Sequence, residues 1–288
     1  MFGIEWINLE WLHLEWLNLK WIALYVPLYL TLGALVGFIA GLLGASGGGI
    51  LVPLLVSIFT YQAIDTDRVV HLALGTALTC MIASSISSTR AHAAKNNIEW
   101  KVVAGMTPGI IIGAFLITQV AANLNSTFIS LFFSLFMMLV AAKMFFNWQP
   151  KTSSEPVSLN GLTIAGFTIG PISALAAVGG GFLTIAYLSY KGIAIKRAIG
   201  TSAAIALPLS IAGTIGYAIS GWSETLENEY TFGFIYWPAF LAISLTSMLV
   251  APYGARCSQY FSDKLLKRIL ALISLLLSLK MFISFVQF

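Results

Sequence analysis

Charge is what this 288-residue sequence most lacks. Asp, Glu, Lys and Arg together make up 9% of it against 58% hydrophobic residues, and the mean hydropathy is +0.89. A soluble domain carries roughly a quarter charged residues, so a water-soluble surface is excluded and apolar helices of about 20 residues in lipid are implied. Cysteine is nearly absent. Cys80 and Cys257 stand far apart and offer neither a disulfide framework nor metal-ligand spacing. With three histidines and no His/Cys/Glu cluster, no metal or other cofactor is expected. No nucleophile, base and orienting group fall together, which speaks against an enzyme. The basic residues are scattered over short connections rather than gathered on one stripe, so no nucleic-acid partner is expected.

Acid is missing from one place in particular. Glu5, Glu10, Glu15, Asp65, Asp67, Glu99, Glu155, Glu224, Glu227, Glu229 and Asp263 all lie outside the apolar stretches or at their edges. Cation and proton-coupled carriers commonly keep a carboxylate within the membrane. Its absence favours a small anion held by amides, hydroxyls and one base.

What is present is ordered. Residues 1–27 open with a tryptophan-rich pentapeptide pattern, Glu5-Trp6-Ile7-Asn8-Leu9 and its successors. Five is neither a helix nor a strand period, and tryptophan prefers the headgroup layer, so this segment is expected to lie at the interface. Apolar stretches then follow at about 28–45, 50–60, 71–89, 102–122 and 128–146, and again at 162–178, 182–190, 198–220, 232–250 and 265–285. The series repeats: a first membrane repeat at 28–148, a polar linker at 149–160 and a second repeat at 161–288. Gly47-Gly48-Gly49 answers Gly179-Gly180-Gly181, Gly75-Thr76 answers Gly200-Thr201, and Lys143-Met144-Phe145 answers Lys280-Met281-Phe282.

The connections reverse sign between the repeats. Arg90, Lys95 and Lys101 follow the third stretch, whereas its counterpart holds Glu224, Glu227 and Glu229. The positive-inside rule puts the first in the cytoplasm and the second outside. Inverted halves need an odd number of crossings each. A helix over 182–190 reaches only about halfway through a roughly 30 Å core. Each triple glycine is therefore expected to join two arms of a re-entrant hairpin, leaving three full helices per half. The fold expected is all-α integral membrane, with two inverted-topology repeats, each a glycine-broken re-entrant hairpin plus three transmembrane helices; a full span over 28–45 is the alternative for the first arm.

Broken helices in inverted halves are the usual architecture of secondary transporters. Glycine admits a ligand to the backbone, and amides at a helix start favour an anion. The substrate-binding candidates are Ser46, Gly47, Gly48, Gly49, Thr76, Gly179, Gly180, Gly181, Thr201 and Ser202. Arg90 and His92 are candidates for attracting the anion, carrying a proton or gating, with an interfacial topology anchor as the equal alternative. Glycine and hydroxyl residues also pack membrane helices together, so a channel for anions or a non-transporting membrane scaffold shares many of these features.

The run Gly41-Leu42-Leu43-Gly44-Ala45-Ser46-Gly47-Gly48-Gly49-Ile50-Leu51-Val52-Pro53 and its echo from Ile172 to Phe182 resemble the TauE/SafE sulfite-exporter family. Gly75-Thr76, Ala91-His92, Asn97-Ile98-Glu99-Trp100 and Ala198-Ile199-Gly200-Thr201-Ser202 extend the resemblance over nearly all the chain after about residue 30. It implies an exporter of small sulfur-containing anions such as sulfite or organosulfonates, working in a bacterial inner membrane. The partners implied are that anion and the lipid bilayer, with a homo-oligomer left open.

Overall fold

The structure is a computed structural model that describes residues 19–43, 47–62, 64, 68–146, 158–222, 230–258 and 260–287. The pentapeptide pattern up to residue 18, Ser46, residues 147–157 of the linker and the acidic stretch 223–229 lie outside them.

Among the described residues the chain is built of helices. The first half contains α1 (Leu19–Leu43), α2 (Gly48–Tyr61), α3 (Val69–Ala93), α4 (Trp100–Ala121) and α5 (Ser126–Phe145). The second contains α6 (Leu159–Leu175), α7 (Gly181–Tyr190), α8 (Ile195–Ser220), α9 (Trp237–Cys257) and α10 (Asp263–Gln287), with a small hairpin of β1 (Thr231–Phe232) and β2 (Ile235–Tyr236) before α9. Six helices, α1, α3, α4, α5, α8 and α9, are long and apolar enough to cross a membrane, while α2, α6 and α7 are shorter apolar helices. The large side chains left exposed, such as Leu116, Leu139, Leu245 and Leu276, are those a lipid environment accepts.

The halves are interleaved. α1 packs on α9 and α6 on α4; α3 packs on α9 and α8 on α4. The remaining large contacts, α3 with α8 and α5 with α10, join like to like. The seams are cut by glycines four residues apart. Gly33, Gly37 and Gly41 of α1 lie against the backbone at Ile243, Ser247 and Ala251 of α9, while Gly109 of α4 meets Thr163 and Gly166 and Gly170 of α6 meet Met106 and Ile110. With no Cβ at these points the helix backbones approach closely, which replaces the hydrophobic driving force that lipid removes.

The two core helices run in opposite directions. Phe234 touches both His71, at the start of α3, and Tyr217, at the end of α8. At the other end, residues Asn97 and Glu99, just past α3, meet Gly200 and Thr201 near the start of α8.

α1 is longer than the 28–45 stretch suggests. It begins at Leu19 and has 25 residues, about 37 Å of helix, so part of the expected interfacial segment belongs to it. Its end reaches the end of α3, where the Gly41 carbonyl meets His92. α2 begins lower, with Gly48 against Met81, the middle residue of α3. α1 thus ends level with the end of α3, whereas α2 starts at the midpoint of α3 and runs back toward the level of Tyr29, whose hydroxyl meets Gln62.

Candidate functional site

Both glycine runs start a helix. Gly47 is the N-cap of α2 with φ +71° and Gly180 the N-cap of α7 with φ +73°. Only glycine takes this left-handed conformation without a Cβ clash. The structure therefore aligns Gly47 with Gly180, one position away from the first-to-first match of the two triplets. α7 begins beside Ile205, within the central part of α8, as α2 begins at the middle of α3.

The two breaks meet. A side chain on Gly48 would run into Met81 and the Ala177 carbonyl, and one on Gly49 would meet Met137 and Val178. The α2 start and the residues leading into α7 thus face each other at mid-height of the core. At α7, the Gly181 amide donates to the Val178 carbonyl at 3.1 Å and the Thr184 amide to the Gly180 carbonyl at 2.7 Å, while the Phe182 and Leu183 amides have no backbone acceptor among the described residues. Thr184, in the same turn, is fully buried, and its hydroxyl has no partner among the described residues. A short helix start with open amides and a bare hydroxyl presents donors of the kind that suit an anion.

The other candidates fall elsewhere. Thr76 and Thr201 are both fully buried, and each accepts a backbone N–H from the opposite half. The Tyr236 amide donates to the Thr76 hydroxyl oxygen at 2.9 Å and the Glu99 amide to that of Thr201 at 2.9 Å. The glycines before them, Gly75 and Gly200, make room for the carbonyls of Phe234 and Asn97. Two equivalent clasps result, each fixing the connection of one half to the core helix of the other. Burial pushes the Tyr236 phenol above its ordinary range, so it stays neutral. Ser202 is buried beside Thr201 and donates to the Ile199 carbonyl at 3.0 Å. Arg90 is exposed at the end of α3. His92, two residues on, is buried, with Nε2 3.2 Å from the Gly41 carbonyl.

Sequence reasoning passed over two features. Glu99, noted above only as an acid outside the apolar stretches and as part of the Asn97-to-Trp100 motif, forms an ion pair with Arg197 at 2.7 Å beside the Thr201 clasp. Thr184, two residues past the glycine echo, had its nearness to that run as its only signal.

A bundle of this kind, with membrane-crossing helices around two facing backbone breaks, belongs to the class of multi-pass membrane transporters. The chain is a member of the sulfite exporter TauE/SafE family, whose model matches residues 29–281. Its relatives include a probable membrane transporter protein of Haemophilus influenzae, 33% identical over 90% of this chain and 99% of that protein. Another is a probable membrane transporter protein of Methanocaldococcus jannaschii, 29% identical over 86% of this chain and 92% of its own. The probable membrane transporter protein YunE of Bacillus subtilis is 28% identical over 67% of this chain and 78% of its own. No solved structure matches. The family is one of transporters, not enzymes.

Proposed function

We propose that this protein is a secondary carrier of a bacterial inner membrane that exports small sulfur-containing anions, such as sulfite or organosulfonates. In this reading the halves are inverted repeats, each a re-entrant glycine hairpin followed by three crossings. The anion binds where the hairpins meet, on amides of residues 47–49, 179, 180, 182 and 183, with the Thr184 hydroxyl beside them. The single observation that carries the reading is the placement of Gly48 and Gly49 against Ala177 and Val178 at the midpoint of α3. Unpaired backbone is tolerated at membrane depth only where it faces protein or a water-filled cavity. A desolvated oxyanion gains most from such donors, because the surrounding bundle holds no competing carboxylate within the described spans. The two clasps at Thr76 and Thr201 then act as the closures of the two mouths, one released at a time in alternating access.

Counterflow in proteoliposomes tests this directly. Vesicles loaded with unlabelled sulfite, taurine or sulfoacetate should take up the matching labelled anion faster than empty ones, the mark of a carrier. Equal rates with and without internal anion would leave a channel, and no uptake of any of the three would end the sulfur-anion reading.

A further inference from the structure

The six helices long and apolar enough to cross hold no carboxylate, yet they hold a base with one nitrogen unused. His71 and His92 lie near opposite ends of α3, each about 1% exposed. His71 has both ring nitrogens engaged, Nε2 with the Ala121 carbonyl at 3.0 Å and Nδ1 with the Ser126 hydroxyl at 3.4 Å. His92 has Nε2 on the Gly41 carbonyl at 3.2 Å, and Nδ1 has no partner among the described residues. A carbonyl only accepts, so Nε2 carries the hydrogen, and Nδ1 of the neutral ring is a bare lone pair.

That nitrogen does not stand alone. The hydroxyls of Ser85, Ser88 and Thr89 are likewise buried without a partner among the described residues. Positions 81, 85, 88 and 92 recur every three or four residues, so they share one stripe of the helix. The stripe starts at Met81, which abuts Gly48 at the glycine junction, and ends at His92 about 16 Å further along. It is a polar track from the proposed anion site to a titratable base.

The charges around His92 decide what protonation requires. On its own element, Arg90 is exposed and Lys95 donates to the Ala255 carbonyl at 3.4 Å. From α9, Arg256 lies over the Tyr253 ring and Cys257 carries a free thiol. From α8 come Lys196 and Arg197, the latter held by Glu99 at 2.7 Å, and α1 brings no titratable side chain over residues 36–43. Glu99 is the one acid among these groups, and it is already paired. An imidazolium here lacks a resident counter-charge, so the anion itself is the natural one. Each then raises the other's affinity, which is a coupling free energy between two sites.

We propose that His92 Nδ1 is a proton-binding site of the transport cycle, so that the carrier moves a proton together with its anion, and export then runs on the anion's own outward gradient against the inward proton gradient. This rests on the transport reading above. The experiment uses proteoliposomes of the full chain with the membrane potential clamped, and whichever of sulfite, taurine and sulfoacetate the wild type exchanges. For one proton per anion, a pH step of one unit should sustain about a tenfold accumulation of the label, and a trapped pH dye should report proton entry with the anion. His92→Gln keeps a donor for the Gly41 carbonyl but takes no proton. It should still exchange label at equal pH, while the pH-driven accumulation falls to about onefold. His92→Asn, checked for folding by gel filtration, serves if the first variant is unstable. Wild-type uptake without proton entry overturns the proposal, and so does full pH-driven accumulation by a folded variant. Folded variants that lose exchange altogether also overturn it, since His92 then serves binding or structure. Absence of exchange in the wild type removes the transport reading first and this one with it.

Discussion

At Gly180 the backbone holds φ +73°, and a Cβ placed there would find only the Thr184 hydroxyl at 3.0 Å and Ile205 at 3.6 Å. Gly192 holds φ +78° with nothing within 4 Å. Alanine at either position therefore costs a similar backbone strain, about 1–2 kcal/mol, which thermal unfolding should show as similar losses. Transport should separate them. Gly180→Ala puts a methyl group at the start of α7 beside open amides and should slow counterflow by about a hundredfold, the scale of a misplaced binding geometry. Gly192→Ala, in the turn after α7, should leave counterflow near wild type. Equal transport by the two variants would take the second glycine run out of the mechanism. The glycine runs themselves were legible in the sequence, because a repeated triplet is conspicuous. Their register was not, since the residue that turns left-handed is chosen by the path into the helix and not by composition.

Between elements, the Gly75-Thr76 and Gly200-Thr201 pairs show how a repeat can be recognised while its purpose stays hidden. The sequence offers matching threonines. Their acceptor role appears only when the fold brings Tyr236 to Thr76 and Glu99 to Thr201, partners more than a hundred residues distant. Thr201→Val should leave the Glu99 amide unpaired, and Thr76→Val the buried Tyr236 amide, each at about 1–3 kcal/mol. Hydrogen exchange at the orphaned amide should rise in each variant and not at the other, and serine should rescue both. Glu99→Gln should do much less. Its pair with Arg197 has side chains 51% and 30% exposed in the order Arg197, Glu99, and such pairs contribute little to stability. If Glu99→Gln loosened the connection as much as Thr201→Val, the ion pair and not the hydroxyl would be the clasp.

Over the whole molecule, the membrane class was legible from scarcity of charge alone. What the sequence did not disclose is that each half is completed by the other. Gly33-Gly37-Gly41 and Gly105-Gly109-Gly113 stand at visible four-residue spacing, but spacing does not name the partner helix, and here α1 lies on α9 and α4 on α6. The same exchange places the connection after α3 and the hairpin after α8 at opposite ends of the antiparallel α3 and α8 pair. If that pair crosses the bilayer, the two connections face opposite compartments, as the reversal of charge between Arg90, Lys95 and Lys101 and the acidic 223–229 stretch also requires. Single cysteines at Ala94 and Phe232, both exposed positions, would report this in a chain with Cys80→Ala and Cys257→Ser. A membrane-impermeant maleimide added to intact cells should label Phe232→Cys and spare Ala94→Cys, and lysed cells should label both. Labelling of both from outside would mean that the connections share a face. The halves would then not be inverted, and alternating access about a site between them would lose its geometric basis.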